Sequence, residues 1–266
     1  MKKKNRGQKI NYYSDLLNDD FAYTHIKTNY IGKDFNFIKT SLIWQMLSWF
    51  FYYIIALPII WVVSKLYLGV KIKNRTAIKK IRKSGFFIYS NHTRTLDVFI
   101  PPLVAFPSKV YTISSADAIS IKGIRWLVML LGCIPIPSNM GAMPNFSRAV
   151  EKRSAEKNCI AIFPEAHIWP FYTKIRPFKA VSFGYPVNFN LPVITATVTY
   201  RKRTGIFGFI NKPGMTIFIG DPIYPNTMLP RSLRKEDLRN KVYNQMCKAA
   251  KKNEIEYIKY VKRTDS

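Results

Sequence analysis

A histidine and an aspartate five residues apart are the residues of this sequence best suited to chemistry. His92 and Asp97 lie in the segment Asn91–Asp97, which directly follows the apolar run Phe86–Tyr89. A histidine can act as a general base near neutral pH, and a carboxylate beside it can orient the ring. On one ideal helix the pair would lie about 140° apart, so it can meet only across a turn into the next helix. From spacing alone, an incidental pair is the simpler interpretation.

A second candidate is a carboxylate at the exit of another apolar run. The segment Phe163–Glu165 follows Cys159–Ile162, which indicates either a substrate-binding loop or a plain transition from strand to loop. The basic segment Lys174–Lys179 comes soon afterwards. Its cations suit a phosphate group, although a solvated basic loop is also typical of so basic a chain.

These candidates need a sheet to hold them. After residue 84, short β-rich runs alternate with helical stretches, which is typical of an α/β fold with a partly parallel central sheet flanked by helices. Ligands bind beyond the carboxyl ends of the strands of such sheets, where both His92 and Glu165 are expected. The predicted strands are 86–90, 109–114, 133–137, 158–163, 192–200 and 215–220, and the predicted helices are 95–105, 121–131, 144–157 and 231–252.

An uncharged, apolar stretch precedes the sheet. No charged residue lies between Lys39 and Lys65, and a helix over this stretch would be about 37 Å long, enough to cross a hydrocarbon core of about 30 Å. Both flanks are basic, which favours placing both on the cytoplasmic side. Because Pro58 disfavours an unbroken helix, we predict a membrane-associated helical hairpin of two helices, 40–57 and 59–70, within one leaflet. A buried core helix and a single-pass anchor are the alternatives.

The composition favours an anionic partner. The chain has 266 residues, with 42 Lys and Arg against 15 Asp and Glu, which gives a formal net charge of +27. Such a charge attracts nucleic acid, an anionic membrane surface or acidic substrates. A nucleic-acid-binding protein would explain the charge but not the uncharged stretch, so the membrane is the predicted partner and no nucleic acid is expected. Three separated cysteines favour a reducing, cytosolic environment, and no signal peptide is predicted.

Several blocks in this order resemble the glycerolipid acyltransferase family, best known for the 1-acyl-glycerol-3-phosphate (lysophosphatidic acid) acyltransferases. Asn91–Asp97 is similar to the family's N-H-x4-D motif, and Phe163–Glu165 to the start of its F-P-E-G block. Gly132–Pro137 resembles the second block, Leu191–Ile194 the fourth, and Phe178–Ala180 the F-K-x-G segment. The resemblance covers residues from about 85 to 200. With it, the chain divides into a basic N-terminal arm (1–39), a membrane-associated helical segment (40–70) and an acyltransferase catalytic domain (71–266).

The resemblance implies transfer of a fatty acyl group from acyl-CoA or acyl-carrier protein to a hydroxyl of a lysophospholipid. The reaction would occur on the cytoplasmic face of the cell membrane, without a metal or another cofactor. His92 would take the proton of the acceptor, Asp97 would orient His92, and Glu165 would position the acceptor. A metal bound by His92, Asp97, Glu165 and His167 is the disfavoured alternative.

Two arginines of the family's pattern are missing here. The second block usually carries one after its Gly-x-Ile core, and the third block usually reads F-P-E-G-T-R-S, whereas Ala166 and His167 follow Glu165 in this sequence. The family associates these arginines with the phosphate of the acceptor. Either other cations contact that phosphate, or the acceptor is a different hydroxyl compound. The candidate cations are Arg94, Lys174, Arg176 and Lys179.

Overall fold

The computed structural model of the protein describes residues 8–22 and 27–263. The strands are β1 (Lys9–Tyr13), β2 (Lys71–Lys73), β3 (Phe86–Tyr89), β4 (Val110–Ser114), β5 (Cys133–Pro135), β6 (Cys159–Ile162), β7 (Val193–Arg201), β8 (Gly214–Ile219) and β9 (Ile258–Lys262). The helices are α1 (Leu42–Tyr67), α2 (Thr76–Lys79), α3 (Ile100–Ala105), α4 (Arg125–Leu130), α5 (Met143–Ala155), α6 (Gly184–Phe189) and α7 (Arg231–Ala250). Short 3-10 helices cover Thr95–Phe99, Ala116–Ile119, Met140–Ala142, Val181–Phe183 and Gly205–Phe209.

Seven strands form a largely parallel sheet in the order β2–β8–β7–β3–β6–β4–β5, in which β7 and β8 pair antiparallel. The central strands β3 and β6 are buried along their whole length. Their continuous apolar runs are typical of a parallel sheet that is covered on both faces. Residues of α2 and α3 pack in one apolar core, and residues of α5 and α7 in the other. The predicted α/β fold, with a partly parallel sheet flanked by helices, is confirmed.

The apolar stretch forms one continuous helix of 26 residues, α1. The predicted break at Pro58, and with it the helical hairpin, is therefore wrong. Pro58 is the second residue of an α-helical stretch that follows a π-helical stretch, Phe50–Ala56. The wider hydrogen-bond spacing of a π-helix shifts the register ahead of the proline, so the missing N–H and the bulky ring are accommodated without ending the helix.

Helix α1 lies along the body of the protein rather than projecting from it. The Ser48 hydroxyl donates to the carbonyl of Leu130 at 2.6 Å, and the Tyr52 hydroxyl accepts from the N–H of Val110 at 3.0 Å. The opposite side of α1 presents large apolar side chains to the exterior. These exposed residues are Leu42, Ile43, Met46, Leu47, Trp49, Phe50, Ile54, Ile55, Ile59, Trp61, Val62, Leu66 and Tyr67.

A second, smaller sheet joins two segments that are distant in the sequence. Strand β1 pairs in parallel with β9, from Lys9 opposite Ile258 to Tyr13 opposite Lys262. The residues that follow β1 then run against the loop after β6, where Phe21 N–H donates to the carbonyl of Ile168. The N-terminal segment is therefore packed against the loop that carries Glu165.

We expect Gly132, between α4 and β5, to be intolerant of a side chain. Its φ is +101°, and a Cβ atom there would lie 2.4 Å from the carbonyl oxygen of Val110, so an L-residue is disfavoured by both conformation and space. Gly132→Ala should lower the free energy of unfolding by about 2 kcal/mol, as measured by denaturant unfolding in detergent. In the control, Gly184→Ala, the added Cβ meets open space at a helical φ of −60°. An equal loss in both variants would contradict this account of Gly132.

Candidate active site

Parallel pairing of β3 with β6 brings two predicted site residues side by side. Tyr89 pairs with Ile162 at the ends of these strands, and His92 and Glu165 each follow three residues later. Because the segments after β3 and β6 leave the sheet in register, Glu165 Oε2 accepts a hydrogen bond from the backbone N–H of His92 at 3.3 Å. Both residues therefore lie at the carboxyl edge of the sheet, where ligands bind in open α/β sheets.

His92 and Asp97 face each other across the turn that follows β3. His92 Nδ1 lies 3.7 Å from Asp97 Oδ2, and the Asp97 side chain is fully buried whereas 13% of the His92 side chain is exposed. This distance exceeds a hydrogen bond, as is common for catalytic pairs before substrate binds. Nδ1 is buried on the side of Asp97, so Nε2 is the nitrogen left to meet a substrate.

Asp97 is held in place by backbone groups of the same turn. Its Oδ2 accepts from the N–H groups of Thr93 at 2.6 Å and Arg94 at 2.7 Å, which caps the 3-10 helix Thr95–Phe99. Thr93 Oγ1 also contacts Oδ2 at 3.1 Å and the hydroxyl of Tyr200 at 2.6 Å. Burial, followed by the charge of Asp97, raises the pKa of Tyr200 well above its usual value. The carboxylate is thus oriented by neutral donors.

Asn91 continues the sheet beyond the end of β3. Its side-chain oxygen accepts from the N–H of Val198 at 2.8 Å, and its amide nitrogen donates to the carbonyl of Val198 at 3.1 Å. The amide thereby imitates a strand partner for β7 and fixes the chain directly before His92. Asn91 had no predicted role of its own. The sequence signal that could have indicated this role is the position of its amide side chain at the exit of a buried strand.

Glu165 is buried, and its carboxylate binds peptide groups. In addition to the N–H of His92, it accepts from the N–H of Arg176 at 3.0 Å, and only 4% of the residue is exposed. Burial raises the pKa of Glu165 to about 7, although the nearby Arg176 guanidinium opposes this shift. This position argues against the predicted direct contact with the acceptor. The carboxylate instead positions the peptide group of His92.

The cation facing Glu165 is the buried guanidinium of Arg176, whose Nε lies 3.7 Å from Glu165 Oε2. The guanidinium donates to the carbonyls of Leu16, Glu165 and His167, and it lies over the ring of Trp169 at 5.0 Å. Arg176 is fully buried, which is at odds with the predicted contact with an acceptor phosphate. Its donors stabilise the loop that follows β6.

The remaining predicted cations differ in their surroundings. Lys174 and Lys179 are exposed, and neither forms an ion pair within the described ranges. Arg94 is partly buried, two residues after His92, with its guanidinium 5.1 Å from the ring centre of Phe171. Arg94 is thus partly open and lies in the turn that carries His92.

Two cavities lie apart from these residues. One of about 570 Å³ is bounded by aromatic and basic side chains between the segment 30–39, α1 and α4. A second, of about 210 Å³, lies around Lys109, whose pKa burial lowers to about 8. Neither cavity is lined by His92, Asp97 or Glu165, so we do not assign them to the candidate site.

The stretch that carries these residues is similar to known proteins. Residues 69–199, which contain His92, Asp97 and Glu165, match the family model described as Acyltransferase. A similar solved structure is the 1-acyl-sn-glycerophosphate (LPA) acyltransferase PlsC from Thermotoga maritima, with a TM-score of 0.52 and 15% identity over 80% of this chain and 96% of that chain. No curated protein sequence matches the chain. The protein therefore belongs to the acyltransferase family, and the resemblance recognised in its sequence is confirmed.

Glu165 should make stability depend on pH in a defined direction. Its folded-state pKa of about 7 lies above the ordinary value of 4.5, so the unfolded chain releases this proton first. The folded state consequently loses stability as pH rises from about 4.5 to about 7, by about 3 kcal/mol. Relative to Glu165→Gln, the free energy of unfolding of the wild type should fall over this window, whereas Glu151→Gln, at an exposed glutamate, should follow the wild type. A rise relative to Glu165→Gln would contradict the raised pKa.

Proposed function

We propose that this protein is a membrane-bound O-acyltransferase that moves a fatty acyl group from acyl-CoA or acyl-carrier protein to a hydroxyl of a lysophospholipid. The observation that carries the proposal is the His92–Asp97 pair at the carboxyl edge of the sheet, within the stretch that matches the acyltransferase family. The structurally similar PlsC is an LPA acyltransferase, which makes 1-acyl-glycerol-3-phosphate the first acceptor to test.

In the proposed reaction, His92 Nε2 takes the proton of the acceptor hydroxyl while the hydroxyl oxygen attacks the thioester carbonyl carbon. The tetrahedral intermediate then collapses, the carbon–sulfur bond breaks, and the thiol leaves with the proton from His92. Asp97 lies beside Nδ1, where it fixes the orientation of the ring and stabilises the imidazolium that forms between these steps. Glu165 acts at a distance from the substrate, because its carboxylate holds the backbone from which His92 projects.

The membrane role is supported by the two sides of α1. One side hydrogen-bonds to the body of the protein through Ser48 and Tyr52, whereas a crossing helix would have lipid around it. The other side is apolar and exposed, which suits insertion into one leaflet with the body lying on the surface. The net charge of +27 favours an anionic leaflet, and the basic flanks of α1 favour the cytoplasmic face.

Replacement of His92 should abolish acyl transfer without unfolding the protein. We expect His92→Ala to lower turnover on the order of 10³-fold, measured with labelled acyl-CoA or acyl-carrier protein, a panel of lysolipids and other hydroxyl acceptors, and mass analysis of the products. The control is His167→Gln, since that side chain is 38% exposed and pairs with Asp20 at 3.5 Å. Near-normal turnover by His92→Ala, with an unchanged melting temperature, would refute the proposed role.

The exposed side of α1 should govern membrane binding. Ile55 and Trp61 are 40% and 57% exposed on this helix, so replacing both with Glu places charge in the lipid-facing surface. We expect at least about tenfold weaker binding to vesicles that contain phosphatidylglycerol, measured by co-sedimentation. The control replaces Tyr224 and Met228 with Glu, since both are apolar and exposed outside α1. Equal losses in the two variants would attribute the binding to charge alone and count against insertion of α1.

A further inference from the structure

Four cations gather at the end of α1, around its last residue, Tyr67. The Arg94 guanidinium and the Lys212 ammonium lie 6.0 Å and 5.7 Å from the centre of the Tyr67 ring. Arg201 and Arg203 complete the group from the end of β7 and the residues beyond it. Within residues 8–22 and 27–263, none of the four pairs with a carboxylate.

Two members of this group bind backbone carbonyls at the end of α1 and in the turn that follows it. Arg203 donates to the carbonyls of Leu66 and Tyr67, and Arg201 donates to the carbonyl of Gly69 at 2.7 Å. Cations are favourable at the carboxyl end of a helix because the last carbonyls are unpaired and carry partial negative charge. Burial lowers the pKa of Arg203, and repulsion from Arg201 and Arg94 adds to this shift. These contacts thus account for two of the cations and leave the other two unexplained.

Within the part of the chain that the structure describes, the other two cations keep most of their donors free of protein acceptors. Arg94 stacks near Phe171 and Tyr67, and the one side-chain hydrogen bond described for its guanidinium is a 3.8 Å contact with the sulfur of Met215. Stacking on aromatic rings holds a guanidinium in position without using its N–H groups. Lys212 donates to the Tyr67 hydroxyl at 3.2 Å. A planar fork and an ammonium thus lie around one tyrosine, whose hydroxyl accepts from the ammonium. Guanidinium, ammonium and hydroxyl groups are donors from which phosphate oxygens accept strongly.

The position of this donor set relates it to His92. The backbone N–H of Arg94 donates to Asp97. The side chain of Arg94 therefore extends from the same turn that carries His92, the proposed general base. Strand β7 makes its last pair with β3 at Thr195 and then continues for six residues to Arg201. This overhang carries the cationic group past the carboxyl edge of β3, on the same side as His92. An anion bound there would lie at the same edge of the sheet as His92 and next to the end of α1.

We propose that Arg94, Lys212 and the Tyr67 hydroxyl form a binding site for a phosphate group of a substrate, either the headgroup phosphate of the acceptor or a phosphate of the acyl donor. This inference rests on the proposed function for the identity of the substrates. It assigns Lys212 and Tyr67, which no sequence motif indicated, to substrate binding. It also explains why a cluster of like charges persists without an acidic partner in the described structure.

The first test does not depend on turnover. Lys212 of the full-length protein in detergent is modified with an amine-reactive ester, and its modification rate is followed by mass spectrometry. The probes are a short-chain lysophosphatidate, the matching monoacylglycerol, which lacks the phosphate, and coenzyme A. We expect at least about fivefold protection of Lys212 by a phosphate-bearing probe and none by the monoacylglycerol. The exposed Lys83 serves as the internal control.

The pattern of protection identifies the source of the phosphate. Protection by the lysophosphatidate alone assigns the site to the phosphate of the acceptor, and protection by coenzyme A alone assigns it to a phosphate of the donor. Protection by both probes shows that the site binds a phosphate group from either substrate. Tyr67→Phe and Arg94→Gln should reduce this protection. Absence of protection by either phosphate-bearing probe, or equal protection by the monoacylglycerol, overturns the proposal. Because binding is measured directly, protection without acyl transfer would refute the proposed function and leave this site standing.

The second test uses kinetics. Lys212→Gln should raise the KM for the substrate that the protection test identifies about tenfold, while kcat changes little. Lys212→Arg should restore most of the affinity for that substrate. The matched control is Lys83→Gln, which removes the same charge from an exposed position outside the site. Equal effects of Lys83→Gln and Lys212→Gln would overturn the proposal, because general electrostatic attraction would then account for the loss.

Discussion

The candidate site depends on one hydrogen bond, from the backbone N–H of His92 to the buried carboxylate of Glu165. It joins the loops that follow two adjacent parallel strands, β3 and β6, and the register of those strands brings the two residues level. A buried carboxylate is costly unless its oxygens are satisfied. Here N–H groups of His92 and Arg176 serve them, with the Arg176 guanidinium nearby. The histidine is thereby held through its peptide group, while its ring stacks on Phe163 and keeps a small exposed part.

This arrangement draws distant parts of the chain into the support of the site. The loop after β6 returns to the histidine, since Trp169 N–H donates to the carbonyl of His92 at 3.2 Å. The indole of Trp169 donates to the carbonyl of Asp19, and the guanidinium of Arg176 donates to that of Leu16. Leu16 and Asp19 belong to the predicted basic N-terminal arm. Their carbonyls therefore accept hydrogen bonds from Arg176 and Trp169, two large, fully buried side chains of the loop.

The sequence predicts the sheet well, and it places the candidate site residues after its strands, because both features depend on local patterns. Runs of buried apolar residues mark β3 and β6, and the histidine and carboxylates follow directly after them. The burial of Glu165 and Arg176 could not be predicted in this way, since charged residues are ordinarily exposed and their burial depends on partners far apart in sequence. Pro58 misled the prediction for a related reason. A proline ends many helices, but π-helical geometry in the preceding turns, which composition does not reveal, allows α1 to continue.

The parallel pairing of β1 with β9 also fixes an order of events during synthesis. Helix α1 and the strands that carry His92 and Glu165 leave the ribosome well before residues 258–262, so β1 still lacks its partner while these elements emerge. Once β9 emerges, β1 pairs with it and brings Leu16 and Asp19 against the loop after β6. The contacts that Leu16 and Asp19 make with the loop after β6 are thus completed after α1 and the strands that carry His92 and Glu165 have been made.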